Sequence, residues 1–301
     1  DGTPVGQYRN VTGVIYGKID NSSVFGGTSY RGLIVESDNP ITISVRNIAS
    51  DQVVRFDGPG QIKGNSVLSS LANESLGINF RLGYYRTSFE GLNSTMIIHD
   101  PFNESYPIES LPLFMVMATE EKTIISLPAG AKVGNGSGLI INAPSSVLLD
   151  KGESYLFHAE IGALLTSNKP IVVNAGAWTD KPGSNAMDGV YTPVPPVRVL
   201  GNQYLVVRGG GVDITERTTL VATEDATNIT VLNYNNLGNI ELEEKKTLNI
   251  SSGNIYWNFR NGGTNSEFNQ PEKYSFSHII SDKPIILIFK LLNLRNIKGR
   301  D

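Results

Sequence analysis

Apolar and polar positions alternate along this 301-residue chain in short runs with a period near two, and almost nowhere with the period of a helix. Leu113–Met117, Thr123–Leu127, Ser146–Leu149, Tyr155–His158, Tyr204–Val207, Thr218–Ala222, Ile229–Leu232, Tyr256–Phe259 and Pro284–Leu291 read as strands, because branched and aromatic side chains pack well on a pleated surface. Leu113–Met117 and Thr123–Leu127 are expected to pair with each other around the turn Glu120-Glu121-Lys122. Glu241–Lys246 reads as a charged hairpin or edge. Residues 57–75 are rich in Gly, Ser and Asn and read as a long loop. Within Ser66–Leu76 the spacing of Leu68, Leu71 and Leu76 allows one short helix.

The runs repeat. Ser37-Asp38-Asn39-Pro40 precedes Ile41–Val45, Ser167-Asn168-Lys169-Pro170 precedes Ile171–Val173, and Ser281-Asp282-Lys283-Pro284 precedes Ile285–Phe289. Each is a polar turn closed by a proline at the first strand position, where a missing N–H costs no ladder bond. The apolar run after it is nearly continuous, which predicts a strand covered on both faces. A second unit, Met117-Ala118-Thr119-Glu120-Glu121 before Thr123, returns as Val221-Ala222-Thr223-Glu224-Asp225 before Thr227, and Ala118 and Ala222 lie 104 residues apart. That spacing exceeds a solenoid unit of roughly 50 residues and suits duplicated β-lobes.

The expected fold is therefore all-β, with two or three tandem sandwich-like lobes; a single propeller-like fold is the alternative. The expected division is an N-terminal lobe over 1–110, a central lobe over 111–192 and a C-terminal lobe over 193–301. Pro193, Pro195 and Pro196 are expected to hold an extended crossing between lobes, outside any sheet. Trp178 to Asn185 reads as a turn-rich excursion interrupting the repeat.

Charged residues make up 18% of the chain, the formal net charge is −4, and the basic residues form no cluster, so a nucleic-acid footprint is absent. No apolar stretch is long enough for a membrane-spanning helix. The opening Asp1-Gly2-Thr3-Pro4 lacks a leader pattern, so any signal peptide is expected to have been removed or left out. With no cysteine, disulfides, thiolate metal sites and cysteine nucleophiles are excluded. Asn10, Asn21, Asn73, Asn93, Asn103, Asn135, Asn228 and Asn249 each head an Asn-X-Ser/Thr triplet, which suits an exported glycoprotein, although an Asn- and Ser-rich composition also yields such triplets.

Catalytic constellations are missing. His99, His158 and His278 lie far apart in sequence without metal-ligand spacing. Glu120-Glu121 and Glu224-Asp225 fall at the same point of the repeat, in a turn that shows them to solvent rather than across a cleft. Gly209-Gly210-Gly211 opens no helix and so does not make a phosphate cradle. No catalytic residue, metal or cofactor is expected. The candidate ligand-binding group is Trp178, Asp180, Asn185 and Asp188, where an indole and nearby oxygens suit a sugar ring; the more ordinary alternative is that Trp178 packs under the Pro193–Pro196 segment.

From Leu149 to Tyr204 the order of motifs is distinctive. Leu149-Asp150-Lys151-Gly152-Glu153-Ser154-Tyr155 is followed by Ala163–Ser167, Lys169-Pro170-Ile171-Val172-Val173, Pro193-Val194-Pro195-Pro196-Val197 and Leu200-Gly201 before Tyr204. This order resembles the IgGFc-binding protein amino-terminal domain family, most specifically over 115–290. The family occurs in animal mucus-associated proteins and in large bacterial surface proteins, including adhesins of gliding bacteria. The animal members carry cysteines that this chain lacks, which aligns it with the bacterial type.

The resemblance implies an extracellular, non-catalytic adhesion or structural module of a larger surface protein or filament. Its partners would be surface or matrix proteins, glycans or further copies of itself. A lectin-like carbohydrate-binding module is the alternative, and a glycosidase the weaker one.

Overall fold

The computed structural model of the chain describes residues 28–29, 34, 38–39, 44–48, 65–69, 71–83, 97–99, 105–107, 113–134, 140–180, 187–207, 216–260 and 274–291. Among them every regular element is a strand or a single 3-10 turn, at Ala72–Ser75 and Val197–Val199. Before residue 110 lie β1 (Thr28–Ser29), β2 (Ser44–Ile48), β3 (Asn65–Ser69), β4 (Gly77–Arg81), β5 (Ile97–His99) and β6 (Ser105–Pro107). β2 pairs β3 and β5 pairs β6 as separate ribbons.

Next come β7 (Leu113–Ala118), β8 (Thr123–Ser126), β9 (Lys132–Gly134), β10 (Ile140–Asn142), β11 (Ser146–Leu149), β12 (Ser154–His158), β13 (Leu164–Asp180) and β14 (Met187–Val194). With β1 and β4 they form one ten-stranded antiparallel sheet. The remaining strands are β15 (Gln203–Val207), β16 (Glu216–Ala222), β17 (Thr227–Tyr234), β18 (Ile240–Leu248), β19 (Tyr256–Arg260), β20 (Phe276–Ser281) and β21 (Ile285–Leu291).

The C-terminal lobe shows the plan most simply. A four-stranded sheet, β15-β20-β17-β18, faces a three-stranded sheet, β19-β16-β21. Val206, Leu220, Ala222, Ile229, Val231, Leu248, Ile279 and Ile285 fill the space between them. The preceding lobe repeats this plan with one change. Its Ser167–Pro170 turn does not break the strand, so β13 serves both layers: Leu164–Ser167 pairs β4 and β8, while Ile171–Gly176 pairs β7. The register slips between Thr166 and Ile171, and the strand turns the corner there. The result is a curled sheet where the C-terminal lobe has two. Phe80, Phe114, Phe157, Leu165 and Ile171 are wholly buried inside it.

The two cores meet. Val221 and Ile286, on β16 and β21, point away from their own core into that of the first lobe. Ile285 and Leu220, their chain neighbours, face inward. The expected two-sided burial thus holds for Ile285–Ile286, and the covering layer on one side is the other lobe. In the first lobe Ile171 and Val173 are buried but Val172 is only half so. Gly162 sits at φ 84 directly under Ile255, and a Cβ there would overlap that side chain.

Three local expectations are corrected. β7 and β8 do not pair with each other: β7 lies between β12 and β13, and β8 between β11 and β13, so the Glu120–Lys122 turn crosses from one layer to the other. The stretch Ser66–Leu76 is not a helix but the end of β3 followed by a 3-10 turn, because three leucines without a helical polar face cannot outweigh strand pairing. Pro193 lies inside β14, paired to Asn174; β14 is an edge among the described residues, where a proline costs nothing on its outer side. Only Pro195 and Pro196 stand clear of the sheet. Gly209–Gly211 and the strand expectations at Val11–Ile19 and Tyr84–Arg86 lie outside the described residues.

Candidate interaction surfaces

The repeated acidic turns have a structural task, visible twice. Thr119 and Thr223 each donate a hydroxyl to the carbonyl of the repeat proline, Pro170 and Pro284, at 2.6 Å. Thr123 and Thr227 donate to the Glu120 and Glu224 carbonyls at 2.7 Å. Ile124 N–H and Asn228 N–H donate to Asn168 and Asp282 at 2.8 Å. Lys169 Nζ reaches the Glu121 carbonyl at 2.5 Å, and Lys283 Nζ that of Asp225. The third turn residue, Lys122 or Ala226, adopts φ 53 or 51, and its N–H donates to Asp150 or Asn249. Ten matched positions thus lock the same crossing at equivalent points of two sandwiches.

This accounts for the carboxylate pairs. Ser251 N–H donates to the Asp225 carboxylate and, with the nearby Lys283 charge, holds it below the usual carboxylate range. Desolvation pushes Asp282 upward, but hydrogen bonds from the Asn228 side chain and amide and the Lys283 charge bring it below its ordinary value. Glu120, Glu121 and Glu224 are exposed. Among the described residues no three His, Asp or Glu side chains gather to hold a metal ion. His158 is buried, 4.0 Å from Glu160, and His278 is half-buried on β20.

Trp178 and Asp180 lie on β13 and Asp188 on β14, while Asn185 is outside the described residues. The expected excursion is therefore largely a two-stranded ribbon. Among the described residues β13 pairs β7 as far as Gly176, and its ladder with β14 runs on to Asp180 opposite Met187. Trp178 is opposite Gly189 and Thr179 opposite Asp188. Two-residue alternation sets positions 178 and 180 on one face of the ribbon and 188 on the other. The register therefore brings two of the four candidates together and separates the third.

Of the Asn-X-Ser/Thr sites, Asn73 is exposed in its 3-10 turn. Asn228 is on β17, with its amide nitrogen donating to Asp282 at 2.7 Å and its oxygen accepting from Thr247. Asn249 accepts from Ala226 N–H. Asn10, Asn21, Asn93, Asn103 and Asn135 lie outside the described residues.

A surface absent from the sequence expectations lies on the C-terminal lobe. Leu205 and Val207 on β15 are 68% and 71% exposed. The ladder sets Val207 opposite Phe276, Phe276 opposite Tyr234, and Tyr234 opposite Ile240. The Tyr234 and Phe276 rings stack at 4.5 Å and 9°. Leu237, in the following turn, is also exposed. Together they form an apolar row across one end of the outer face. Alternation in Tyr204–Val207 could have signalled that Leu205 and Val207 share a face, but not that nothing described covers it.

The fold and the surfaces described define an all-β protein with a duplicated sandwich. Residues 71–291 match the family described as IgGFc binding protein, and the chain belongs to that family. No curated protein and no solved structure matches it. The family is one of extracellular, non-enzymatic modules with protein partners. Among the described residues no helix is long and apolar enough to cross a membrane.

Proposed function

We propose that this chain is a non-catalytic adhesion or structural module of a larger cell-surface protein or filament, and that it contacts proteins or glycans through the β13–β14 ribbon. The observation that carries the reading is the β13–β14 ladder from Ala177 to Asp180, which runs on beyond the last described pairing with β7. Trp178 and Asp180 are the contact residues on one face of that ribbon, Asp188 is a contact on its other face, and Asn185 belongs to the same candidate group. The lobes over 1–110, 111–192 and 193–301 serve as spacers that set the ribbon's position, β4 lending its strand to the central one. Asn73, exposed in its turn, is the favoured glycosylation site among the described ones.

The test is binding of the full chain to immobilised immunoglobulin Fc, mucin and a glycan array, with Trp178→Ala and Asp180→Asn alongside. A hit on any of the three that falls at least tenfold in both variants supports the reading. Hits that both variants retain, or no hits, would remove the ribbon from the account.

A further inference from the structure

The segment that follows a repeat proline occurs three times, and twice it is paired by a return strand. Ser44 stands four residues after Pro40, Asn174 four after Pro170 and Ile288 four after Pro284. Ser44 is opposite Ser69 on β3, and Asn174 is opposite Pro193 on β14. The two ladders then keep one register, with Ile48 opposite Asn65 and Trp178 opposite Gly189. Both return strands lead to the same exit. A 3-10 turn follows, at Ala72–Ser75 or Val197–Val199, and then a glycine, Gly77 or Gly201, eight residues after Ser69 or Pro193. β2–β3 and the β13–β14 pair are therefore two copies of one hairpin.

β21 is a third copy of that hairpin's first strand. On one side it pairs β16, as β13 pairs β7. On the other side Ile285 N–H donates to the Gly201 carbonyl at 3.0 Å, and the Ile285 carbonyl accepts from the Tyr204 hydroxyl at 2.7 Å. Backbone groups of alternate residues point the same way, so those of Leu287, Phe289 and Leu291 face that side too. Their matches on β13, Val173, Ala175 and Ala177, are opposite Val194, Thr192 and Val190 of β14. Among the described residues no strand pairs β21 there. From Ile285 to Leu291 the strand holds one charge, Lys290, amid strong strand formers, and an edge of that kind recruits another strand when left open. Side-chain size is no bar to a partner. β2 carries Val45 and Arg46 where β13 has Ala175 and Gly176 and β21 has Phe289 and Lys290, and β2 keeps its ladder.

We infer that the outer edge of β21, from Leu287 to Leu291, is the seat of a third return strand, antiparallel and supplied by polypeptide that continues from β21. In both paired copies the occupant is the next strand along the chain, β3 after β2 and β14 after β13, so the occupant here is a hairpin partner rather than a separate molecule. The register sets what the strand carries. A residue without an N–H, as Pro193 is, fits opposite Ile288, while its neighbours on either side exchange bonds with Leu287 and Phe289. The exit passes over Gly201, which is exposed where its match Gly77 lies buried under Pro196. Both are glycine, so a Cβ obstructs neither. The inference is independent of what the β13–β14 ribbon binds.

The experiment continues residues 1–294 with residues 181–200 of the same chain. Leu294 stands 114 residues after Asp180, the spacing between Pro170 and Pro284, so the added segment begins at the point where it follows β13. Amide hydrogen exchange is followed residue by residue in this chain and in the native one. The Leu287 and Phe289 amides are expected to exchange at least tenfold more slowly in the extended chain, because their N–H groups gain ladder partners. Amides of Glu241–Lys245 on β18, the edge of the other sheet, should be unchanged. A second extension carries Val190→Pro and Thr192→Pro in the added segment only. Proline has no N–H to give, so the protection should vanish. Equal exchange in the native and extended chains would overturn the inference, and so would protection that survives both prolines. Exchange at Leu287 that slows in the native chain as its concentration rises would give the edge to a second copy of the chain and overturn the hairpin occupant.

Discussion

Thr223 is a buried hydroxyl whose single bond to the Pro284 carbonyl ties β16 to the turn before β21. Thr223→Val keeps the shape and leaves that carbonyl without its donor. It should cost about 1–3 kcal/mol, measured by urea unfolding, the range for an orphaned buried polar group. Asp282 gives a pH-dependent counterpart. Its carboxyl lies below the ordinary value when folded, so its contribution is complete above the unfolded pKa of about 3.9 and fades as pH falls through the folded value. The Tm advantage of the native chain over Asp282→Ala should therefore shrink as pH falls below about 4, where the unfolded chain takes up its proton first and the folded carboxylate follows. A gap that is constant from neutral pH to acid would deny the charge any part in it.

At the scale of elements, matched glycines report what lies on each strand. Gly77 is roofed by Pro196, whereas Gly201 is open. Gly77→Ala should destabilise by about 1–3 kcal/mol, as overpacking does. Gly201→Ala should stay within about 0.5 kcal/mol, as exposed substitutions do. Equal effects in chemical unfolding would contradict the contrast between the two ends. The proline segment is read differently now that Pro193 is seen in the β14 ladder. Pro196 holds one lobe on the other by contact with Gly77, so Pro196→Gly should loosen that seam more than Pro193→Gly. Hydrogen exchange at Leu76–Ile78 would show the difference.

For the whole molecule, the sharing of one core across two sandwiches sets how the protein unfolds. Ile286 belongs by strand to the second lobe and by packing to the first. Ile286→Ala should cost about 2–5 kcal/mol, the usual price of a core truncation. Calorimetry should show one transition moving to lower temperature for both lobes. Two separate transitions, with only the second shifted, would mean that the seam contributes little. The division into tandem lobes and the coupling between them are compatible, because each lobe has its own ladder while the apolar seam joins them.

The all-β character, the strand starts at Pro170 and Pro284 and the duplicated crossings are legible in the sequence, because they depend on local chemistry. A proline without N–H, turn-forming Ser and Asp, and branched side chains at alternate positions act over a few residues wherever they occur. Family membership is legible for the same reason, since it rests on the order of such short motifs. Which strands pair was not. Thr119–Thr123 looks like a hairpin turn in either lobe, and only the long-range bonds to Pro170, Asn168 and Asp150 send the chain to the opposite layer. The ribbon carrying Trp178 also needed the tertiary structure, because a polar stretch around a proline and a glycine has no period from which a strand could be read. The exposure of Leu205 and Val207 is decided wholly by packing. Gly83 of the first lobe lies under Ile286 and Ile288, and no pattern along one strand records what another lobe covers.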